Sequence, residues 1–329
     1  MSAAGSGPLR VGIIGSGGMA AARAERIQAH PDLTLVAIVG RNRETRAELT
    51  TRLGVALMTD SLRLLAMDDL DAVFVTTHPD THATLALAAL ERGKHVFSES
   101  TLALSVEDAD GIVQTARAAR LVVRVGHTSV LRPAARLVAE QVELLGGPLL
   151  DDLRIQYPND ERAGRVAGFD LRVSGHPGLS AVMLGYPCIH RRGPIRSIRA
   201  WTRLTGVEPQ FDTCVARVEI TFQSGVVAGI AYLRGFPWAG PGWRTVACRL
   251  GAVRVKDGAT HVQVLTERGA KSLPVPDADP WAQEIDEFVH AIRDGAPMSV
   301  TLDDARRIVA IAEAAQDSSD SGDTRMGEP

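Results

Sequence analysis

The chain has 329 residues, of which 45% are hydrophobic and 23% charged, and its formal net charge is −3 with the nine histidines neutral. This length and composition predict a globular protein large enough for two packed cores. The basic side chains are scattered along a slightly acidic chain, which argues against nucleic acid as a partner. A small-molecule substrate is the expected partner.

The cysteines and apolar runs exclude several other classes of protein. Cys188, Cys214 and Cys248 form no CxxC pair and no cluster with histidine, so buried thiols are expected rather than disulfides or a metal site. The first residues lack the apolar core of a signal peptide, and no apolar stretch approaches the ~20 residues of a membrane span. We therefore expect a cytoplasmic protein that does not bind a membrane.

The first part of the chain alternates short β-branched runs with helical patterns, which is typical of parallel strands joined by crossover helices. The predicted strands are 11–15, 33–39, 72–77, 95–98 and 121–125. Helices are predicted to begin near Met19, Arg43, Asp80 and Val106. Residues 1–126 are therefore predicted to form a doubly wound Rossmann domain.

The pattern changes after residue 126, and residues 127–317 are predicted to form an α+β domain on an open, mainly antiparallel sheet. Residues 214–222 alternate apolar and polar side chains, as in a strand with one covered face. Turn signals at 223–225 and 256–258 favour a meander. Helices are predicted at 133–145, 178–191, 280–293 and 302–315, with a strand at 150–157 and a mobile tail at 318–329.

A glycine-rich loop follows the first predicted strand and begins the first helix. It reads Gly15-Ser16-Gly17-Gly18-Met19-Ala20, a G-x-G-x-x-A motif. Glycine at the first position permits the tight turn, the second lets the backbone approach a pyrophosphate, and the small last residue lets helix and strand pack closely. Free N–H groups at the helix N-terminus favour a phosphate there. Residues 15–19 are predicted to bind a nicotinamide dinucleotide.

The end of the second predicted strand indicates which dinucleotide is bound. Domains that bind NAD normally carry Asp or Glu here, whereas this chain has Gly40 followed by Arg41, Asn42 and Arg43. No carboxylate repels a 2′-phosphate, and two guanidinium groups are available to hold one. NADP(H) is therefore predicted in preference to NAD(H), and two solvated arginines are the alternative.

Several segments resemble the Gfo/Idh/MocA (glucose–fructose oxidoreductase/inositol dehydrogenase) family. They are the glycine loop, the turn Thr77-His78-Pro79-Asp80-Thr81-His82, and stretches at 88–96, 193–198 and 284–289. The resemblance implies a Rossmann domain, a second α/β domain whose open sheet mediates homodimers or homotetramers, and hydride transfer at sugars, cyclitols and related alcohols or ketones. It also implies that Thr77, His78, His82 and Glu99 lie beside the cofactor.

The chain departs from the family where the family moves protons. A Glu-Lys-Pro triplet of the family reads Glu99-Ser100-Thr101, so serine replaces the lysine, and threonine replaces a proline that is often cis. The aspartate and histidine of the family's Asp-x-x-x-His motif fall on Leu179 and Met183. Because general acid–base catalysis is typically worth about 10²–10⁴-fold, the usual machinery for sugar alcohol chemistry is predicted to be absent.

Four other side chains are candidates for the proton-transfer role. Tyr186 and His190 share the helix face of positions 179 and 183, although Pro187 makes the helix irregular. His127 lies at the domain junction, and His176 lies in a loop. For each, a structural role is the alternative.

Three functions are consistent with this pattern. The first is an NADP(H)-dependent oxidoreductase acting on a small polar substrate, such as an activated C=N or conjugated electrophile, with a substituted proton-transfer site. The second is a non-redox enzyme for cyclisation, elimination or isomerisation on a retained nucleotide-binding fold. The third is a catalytically inactive partner that binds cofactor. Trp238, Trp243 and Arg244 are candidates for a substrate wall or an oligomer contact.

Overall fold

The computed structural model describes residues 7–40, 51–157, 169–207 and 210–329. The chain divides into two compact units, which we call the first unit (1–128 and 279–306) and the second unit (129–278 and 307–329). The sequence suggested one boundary near residue 126, and the first of the two units ends at residue 128 before it resumes at 279. The structure adds a return of the chain to the first unit at 279–306, a segment that the sequence placed in the second domain.

The first unit contains a parallel sheet of six strands in the order β3-β2-β1-β4-β5-β6. The strands are β1 (Leu9–Ile14), β2 (Leu33–Val39), β3 (Ala56–Met58), β4 (Ala72–Val75), β5 (His95–Glu99) and β6 (Val123–Gly126). Its helices are α1 (Gly18–Ala29), α2 (Ser61–Leu65), α3 (His82–Leu90), α4 (Val106–Ala119) and α9 (Pro280–Asp294). This order is that of a dinucleotide-binding Rossmann fold, as predicted. The short strand β3 was not predicted, because three residues are too few to show a pattern.

Aromatic side chains explain why α9 belongs to the first unit. Phe74 on β4 and Phe97 on β5 stack with ring centroids 4.8 Å apart, and Phe288 of α9 meets each of them edge-on at 5.7 Å. All three are fully buried. Such offset and edge-on pairs stabilise a core beyond simple area burial, so α9 covers this face of the parallel sheet.

The second unit is built on a long sheet in the order β15-β14-β13-β12-β7-β11-β10-β9-β16, with β8 beside β10. Its strands are β7 (Pro148–Tyr157), β8 (Phe169–Asp170), β9 (Ile195–Val207), β10 (Gln210–Phe222), β11 (Val227–Arg234), β12 (Trp243–Cys248), β13 (Gly251–Lys256), β14 (His261–Thr266), β15 (Gly269–Pro274) and β16 (Arg325–Met326). Its helices are α5 (Pro133–Leu144), α6 (Leu171–Ser174), α7 (Pro177–Leu184), α8 (Tyr186–Ile189) and α10 (Leu302–Ser321), which starts in the first unit. Among the described strands of this second sheet, only β7 and β11 pair in parallel, so the predicted α+β class with a mainly antiparallel sheet is confirmed.

The helix predicted at 178–191 is wrong in one respect, because it is broken at Gly185 into α7 and α8. A side chain at Gly185 would place its Cβ 2.5 Å from Ile230 Cδ1 on β11, so only glycine allows this close approach of helix and sheet. Pro187 then lies in the first turn of α8, where its missing N–H costs nothing.

The last residues are packed, unlike the predicted mobile tail. Helix α10 continues to Ser321, and β16 pairs with Ser197 and Ile198 of β9. The Glu328 carboxylate accepts a hydrogen bond from the Ile195 N–H at 2.6 Å and pairs with Arg307. The terminal position that suggested mobility is therefore outweighed by ion pairs and backbone contacts. In the part of the chain described here, no helix is both long and apolar enough to span a bilayer.

Candidate functional site

The glycine loop has the geometry that a pyrophosphate requires. Gly15 has φ +131°, and a Cβ there would lie 2.3 Å from Thr76 Oγ1, so no other residue fits. At Gly17 and Gly18, by contrast, no atom lies within 4 Å of an added Cβ. Gly17 is the N-cap of α1 and has no side chain to accept from the first turn. The loop thus leaves open space before the helix N-terminus, which fits a phosphate group.

The other predicted cofactor residues lie in the glycine loop, in the turn after β4 and in the segment after β2. Ser16 lies between the two loop glycines, and Met19 is 39% exposed in the first turn of α1. His78 is exposed after β4, and Thr77 accepts a hydrogen bond from Thr81 Oγ1 at 2.7 Å. Arg41, Asn42 and Arg43 lie outside the described residues.

His82 connects the turn after β4 to the segment after β5. It is 1% exposed, with Nδ1 2.7 Å from the Thr101 carbonyl oxygen and Nε2 3.1 Å from the Thr77 carbonyl oxygen. Burial lowers its pKa despite these carbonyl contacts. The shorter contact assigns the proton of the neutral ring to Nδ1. His82 therefore orders two loops at the carboxyl edge of the sheet.

The segment after β5 carries no lysine. Glu99 is 7% exposed, Ser100 is partly exposed, Thr101 is buried, and the Ser100–Thr101 peptide bond is cis. The sequence contains a single lysine in the first unit, Lys94, and it precedes β5 at the opposite end of the strand. Its Nζ donates to the Met67 and Leu70 carbonyl oxygens at 2.8 Å. The first unit thus has no lysine that takes the place of the missing one.

A buried charge network lies beneath this edge and was not predicted. Arg23 of α1 is 0% exposed, and it contacts the Glu99 carboxylate at 2.6 Å and the Glu284 carboxylate at 2.7 Å. Arg124 of β6 contacts Glu287 at 2.7 Å and lies 3.8 Å from Glu284. Burial raises the pKa of Glu284 despite both guanidinium groups. The network joins α1, β5, β6 and α9, and it fixes the carboxylate that precedes Ser100.

Helices α7 and α8 show which candidate acids come together. Leu179 is 5% exposed and Met183 is partly buried, so these two positions of α7 carry apolar side chains. The Tyr186 hydroxyl lies 3.0 Å from His190 Nδ1, and Tyr186 is 2% exposed. Tyr186 and His190 therefore form a hydrogen-bonded pair that can hold or relay a proton.

One of the other two candidate histidines caps a helix. His176 is the N-cap of α7, and its Nδ1 accepts from the Gly178 N–H at 3.1 Å. Burial lowers its pKa. His127 follows β6, is 3% exposed, and donates its backbone N–H to the Val125 carbonyl oxygen at 2.9 Å. His176 therefore has a structural role, because its unprotonated Nδ1 accepts the hydrogen bond that caps α7.

A cavity of about 370 Å³ lies within the second unit. Its walls come from the start of α5, the strands β7, β12 and β13, and the junction of α7 and α8. Beside it, Asp151 is fully buried and is held by Arg244 at 2.7 Å and Arg192 at 3.0 Å. Burial alone raises the pKa of Asp151, but the two guanidinium groups outweigh burial and lower it. Arg244 is therefore an internal partner of Asp151 rather than a free cation.

The parallel sheet, the glycine loop and the open helix N-terminus define the class of protein as dinucleotide-binding. Residues 9–127 match the family model described as "Oxidoreductase family, NAD-binding Rossmann fold", which is that of Gfo/Idh/MocA. Residues 9–127 are therefore similar to the Gfo/Idh/MocA oxidoreductases, as the motifs suggested.

Curated relatives match over different lengths. A 4-carboxy-2-hydroxymuconate-6-semialdehyde dehydrogenase of Sphingobium sp. strain SYK-6 is 30% identical over 135 residues, which span 41% of this chain and 43% of that protein. The chain thus aligns with less than half the length of that relative. A dTDP-3,4-didehydro-2,6-dideoxy-alpha-D-glucose 3-reductase of Streptomyces antibioticus is 25% identical over 312 residues, covering 87% of this chain and 89% of that one.

A solved structure resembles the whole chain. The biliverdin reductase of Synechocystis sp. PCC 6803, in complex with biliverdin and NADP+, has a TM-score of 0.87 and 21% identity, and covers 94% of this chain and 99% of that one. This identity shows a shared fold. The family model describes NAD-binding oxidoreductases, and the Synechocystis structure contains NADP+.

Proposed function

We propose that the protein is an NADP(H)-dependent reductase of an activated electrophile, such as an imine, an iminium or a conjugated system. The observation that carries this proposal is the segment Glu99-Ser100-Thr101, together with the location of Lys94 at the far end of β5. A ketone or alcohol near neutral pH needs a group that moves a proton to or from oxygen. An iminium already bears its proton, so it needs this group least.

Residues of the first unit fit the cofactor. Gly15, Gly17 and Gly18 leave room for a pyrophosphate at the N-terminus of α1. When bound, the nicotinamide supplies the hydride for reduction. Glu99 is fixed by Arg23, and His82 orders the loops on either side of it, so these residues position the edge of the sheet rather than exchange protons there.

The preference for NADP(H) rests on the sequence after β2, and Arg41→Ala tests it. We expect the variant to bind NADPH about tenfold or more weakly and NADH nearly unchanged, because a charge-assisted contact to the 2′-phosphate contributes about 1.5–3 kcal/mol. Titration of both cofactors by their fluorescence measures the two affinities. Equal affinity of the unmodified protein for NADPH and NADH would contradict the preference.

A neutral imine or a conjugated system still needs one proton when it accepts the hydride, and we propose the Tyr186–His190 pair as the source of that proton. Tyr186→Phe keeps the buried ring and removes the hydroxyl, so we expect turnover to fall by about 10²–10⁴-fold with little loss of stability. Tyr232→Phe is the matched control, since Tyr232 is also 2% exposed in the second unit. The two variants are compared by the pH dependence of kcat. If kcat falls no further in Tyr186→Phe than in Tyr232→Phe, Tyr186 has only a packing role in the core.

The decisive experiment follows NADPH consumption with a panel of electrophiles. We use 2-methyl-1-pyrroline as a cyclic imine, biliverdin as a conjugated system, and myo-inositol with NADP+ as a polyol. Reduction of the imine or biliverdin without oxidation of inositol is the expected result. Inositol oxidation at a rate that Ser100→Ala leaves unchanged would show that another residue replaces the lysine, and would overturn the proposal.

A second candidate is reduction of a keto sugar. It is favoured by the Streptomyces antibioticus 3-reductase, whose alignment extends over both units. This reaction produces a hydroxyl group and needs a proton donor at the carbonyl oxygen. Consumption of NADPH with a 3-keto sugar, without consumption with 2-methyl-1-pyrroline or biliverdin, would distinguish it from the first candidate.

A further inference from the structure

The helix α8 carries the Tyr186–His190 pair, and it is too short to hold its own position. It consists of the four residues Tyr186–Ile189 and begins directly after the break at Gly185. Arg191 has φ +60°, a left-handed conformation in which the helix cannot continue. Isolated helices this short are unstable in water, because forming the first turn fixes several dihedral angles for one hydrogen bond. Contacts from outside the helix must therefore fix the position of α8.

A buried carboxylate, that of Asp151 on β7, is the centre of these contacts. Arg244 of β12 donates to this carboxylate through Nε at 2.8 Å and through Nη2 at 2.7 Å, which is a bidentate pair. The same Nη2 atom donates to the Pro187 carbonyl oxygen of α8 at 2.9 Å. The last carbonyl groups of a helix have no intrahelical donor, so Arg244 supplies one. The guanidinium thus joins the carboxylate to the backbone of α8.

Two further groups in and after α8 contact the same carboxylate. The Cys188 thiol donates to Asp151 Oδ1 at 3.3 Å, and burial raises the pKa of this thiol, so it keeps the proton that it donates. Arg192, which follows the helix, donates to Asp151 Oδ2 at 3.0 Å. Asp151 is fully buried and Arg244 is 8% exposed, so water competes little for these charge-assisted contacts. The carboxylate therefore anchors α8 through its backbone, its thiol and the residue that follows it.

We propose that Asp151 and Arg244 are positioning residues, which act on proton transfer through the placement of α8. By fixing this single turn, they keep the Tyr186 hydroxyl 3.0 Å from His190 Nδ1. The inference rests on the proposed function, because it takes this pair as the source of the proton. Neither positioning residue exchanges the proton itself, so their loss is expected to change the placement of the donor rather than remove it.

Arg244→Lys tests this role, because lysine keeps the positive charge but cannot make the bidentate pair and the carbonyl contact at once. Arg244→Gln is a second variant, in which Arg192 still neutralises Asp151. Arg217→Lys is the matched control. Arg217 pairs with Asp152 at 2.7 Å, and this neighbouring position of β7 lies on the opposite face of the sheet. The comparison uses the variants whose thermal unfolding midpoints show them to be folded.

Nitrogen NMR of the full chain, isotopically labelled in histidine, reads the placement of the pair without turnover. The ring nitrogens of His190 are assigned by the loss of their signals in His190→Gln, and they report the hydrogen bond between Nδ1 and the Tyr186 hydroxyl. We expect Arg244→Lys to move these signals toward their positions in Tyr186→Phe, and Arg217→Lys to leave them unchanged. Signals that stay unchanged in Arg244→Lys and in Arg244→Gln would overturn the inference.

Turnover shows whether the placement serves proton transfer. With NADPH and the electrophile that the chain reduces, biliverdin or 2-methyl-1-pyrroline, we expect Arg244→Lys to lower kcat by about tenfold or more. KM should stay within about twofold, because a misplaced donor slows the reaction without weakening ground-state binding. Arg244 also lines the cavity of the second unit, so a direct contact with the substrate is the competing role. A rise in KM at constant kcat would assign that role and overturn the inference.

The double variant separates positioning from an independent effect. If Arg244 acts through Tyr186, adding Arg244→Lys to Tyr186→Phe should cost little beyond the loss in Tyr186→Phe alone. Losses that multiply in the double variant would mean that the two residues act independently, and would overturn the inference.

Failure of this inference and failure of the proposed function are distinguishable. If neither biliverdin nor 2-methyl-1-pyrroline is reduced, the proposed function fails, while the NMR comparison still decides whether Arg244 places His190. Conversely, unchanged His190 signals in variants of a chain that reduces one of these electrophiles would overturn the positioning role alone.

Discussion

Gly17→Val is expected to abolish nucleotide binding while leaving the fold intact, with an NADPH affinity lower by about two orders of magnitude or more. The valine side chain enters the space before α1 where no protein atom lies within 4 Å, which is where the pyrophosphate must approach. Gly17 has φ −84° and ψ −170°, an extended conformation that valine adopts readily. The affinity is measured by NADPH titration, and the fold by the thermal unfolding midpoint.

Gly240→Val is the matched control for this prediction. Gly240 is exposed in the second unit, and it too has no atom within 4 Å of an added Cβ. We expect it to retain NADPH binding and the same unfolding midpoint. Normal NADPH binding by Gly17→Val would show that the glycine loop does not hold the cofactor.

Arg23→Met is expected to lower the free energy of unfolding by about 3–5 kcal/mol near neutral pH, since it removes the cation from two buried carboxylates. Methionine keeps an unbranched apolar stem and removes the guanidinium, so the loss is mainly electrostatic. Glu99 and Glu284 contact Arg23 at 2.6 Å and 2.7 Å, and neither carboxylate is more than 9% exposed. Urea unfolding measures the change.

The pH dependence of the variant has a defined sign. Burial already raises the pKa of Glu284, and loss of Arg23 raises it further, so the folded state binds more protons than the unfolded chain. Stability then increases as pH falls, and the deficit of Arg23→Met should be largest at about pH 8 and smaller at about pH 5. Adding Glu284→Gln to Arg23→Met should recover part of the loss at the higher pH.

Arg26→Met is the matched control on the same helix. Arg26 pairs with Asp279 at 2.8 Å, but the two side chains are 29% and 44% exposed. We expect a loss within about 1 kcal/mol with little pH dependence, as for other solvent-exposed pairs. Similar losses in Arg23→Met and Arg26→Met would mean that the buried network contributes no more than a surface ion pair.

The sequence predicted the first unit better than the second. Apolar β-branched runs marked β1, β2, β4, β5 and β6 because strands of a parallel sheet are buried on both faces. The sequence also predicted that Tyr186 and His190, four residues apart, share a helix face, and their side chains are in contact at 3.0 Å. It failed where a helix was interrupted at Gly185, since the contact with Ile230 that requires this glycine lies on another element.

Local chemistry along the chain therefore determined the parallel sheet, the phosphate-binding loop and the absence of a lysine after β5. Tertiary structure alone decided that Arg23 joins Glu99 and Glu284, which lie 76 and 261 positions away, and that α9 returns to the first unit. It also decided which side chains of β7, β12 and β13 enclose the cavity. A pattern of neighbouring residues encodes propensity and periodicity, whereas the partner of a buried charge depends on contacts between distant segments.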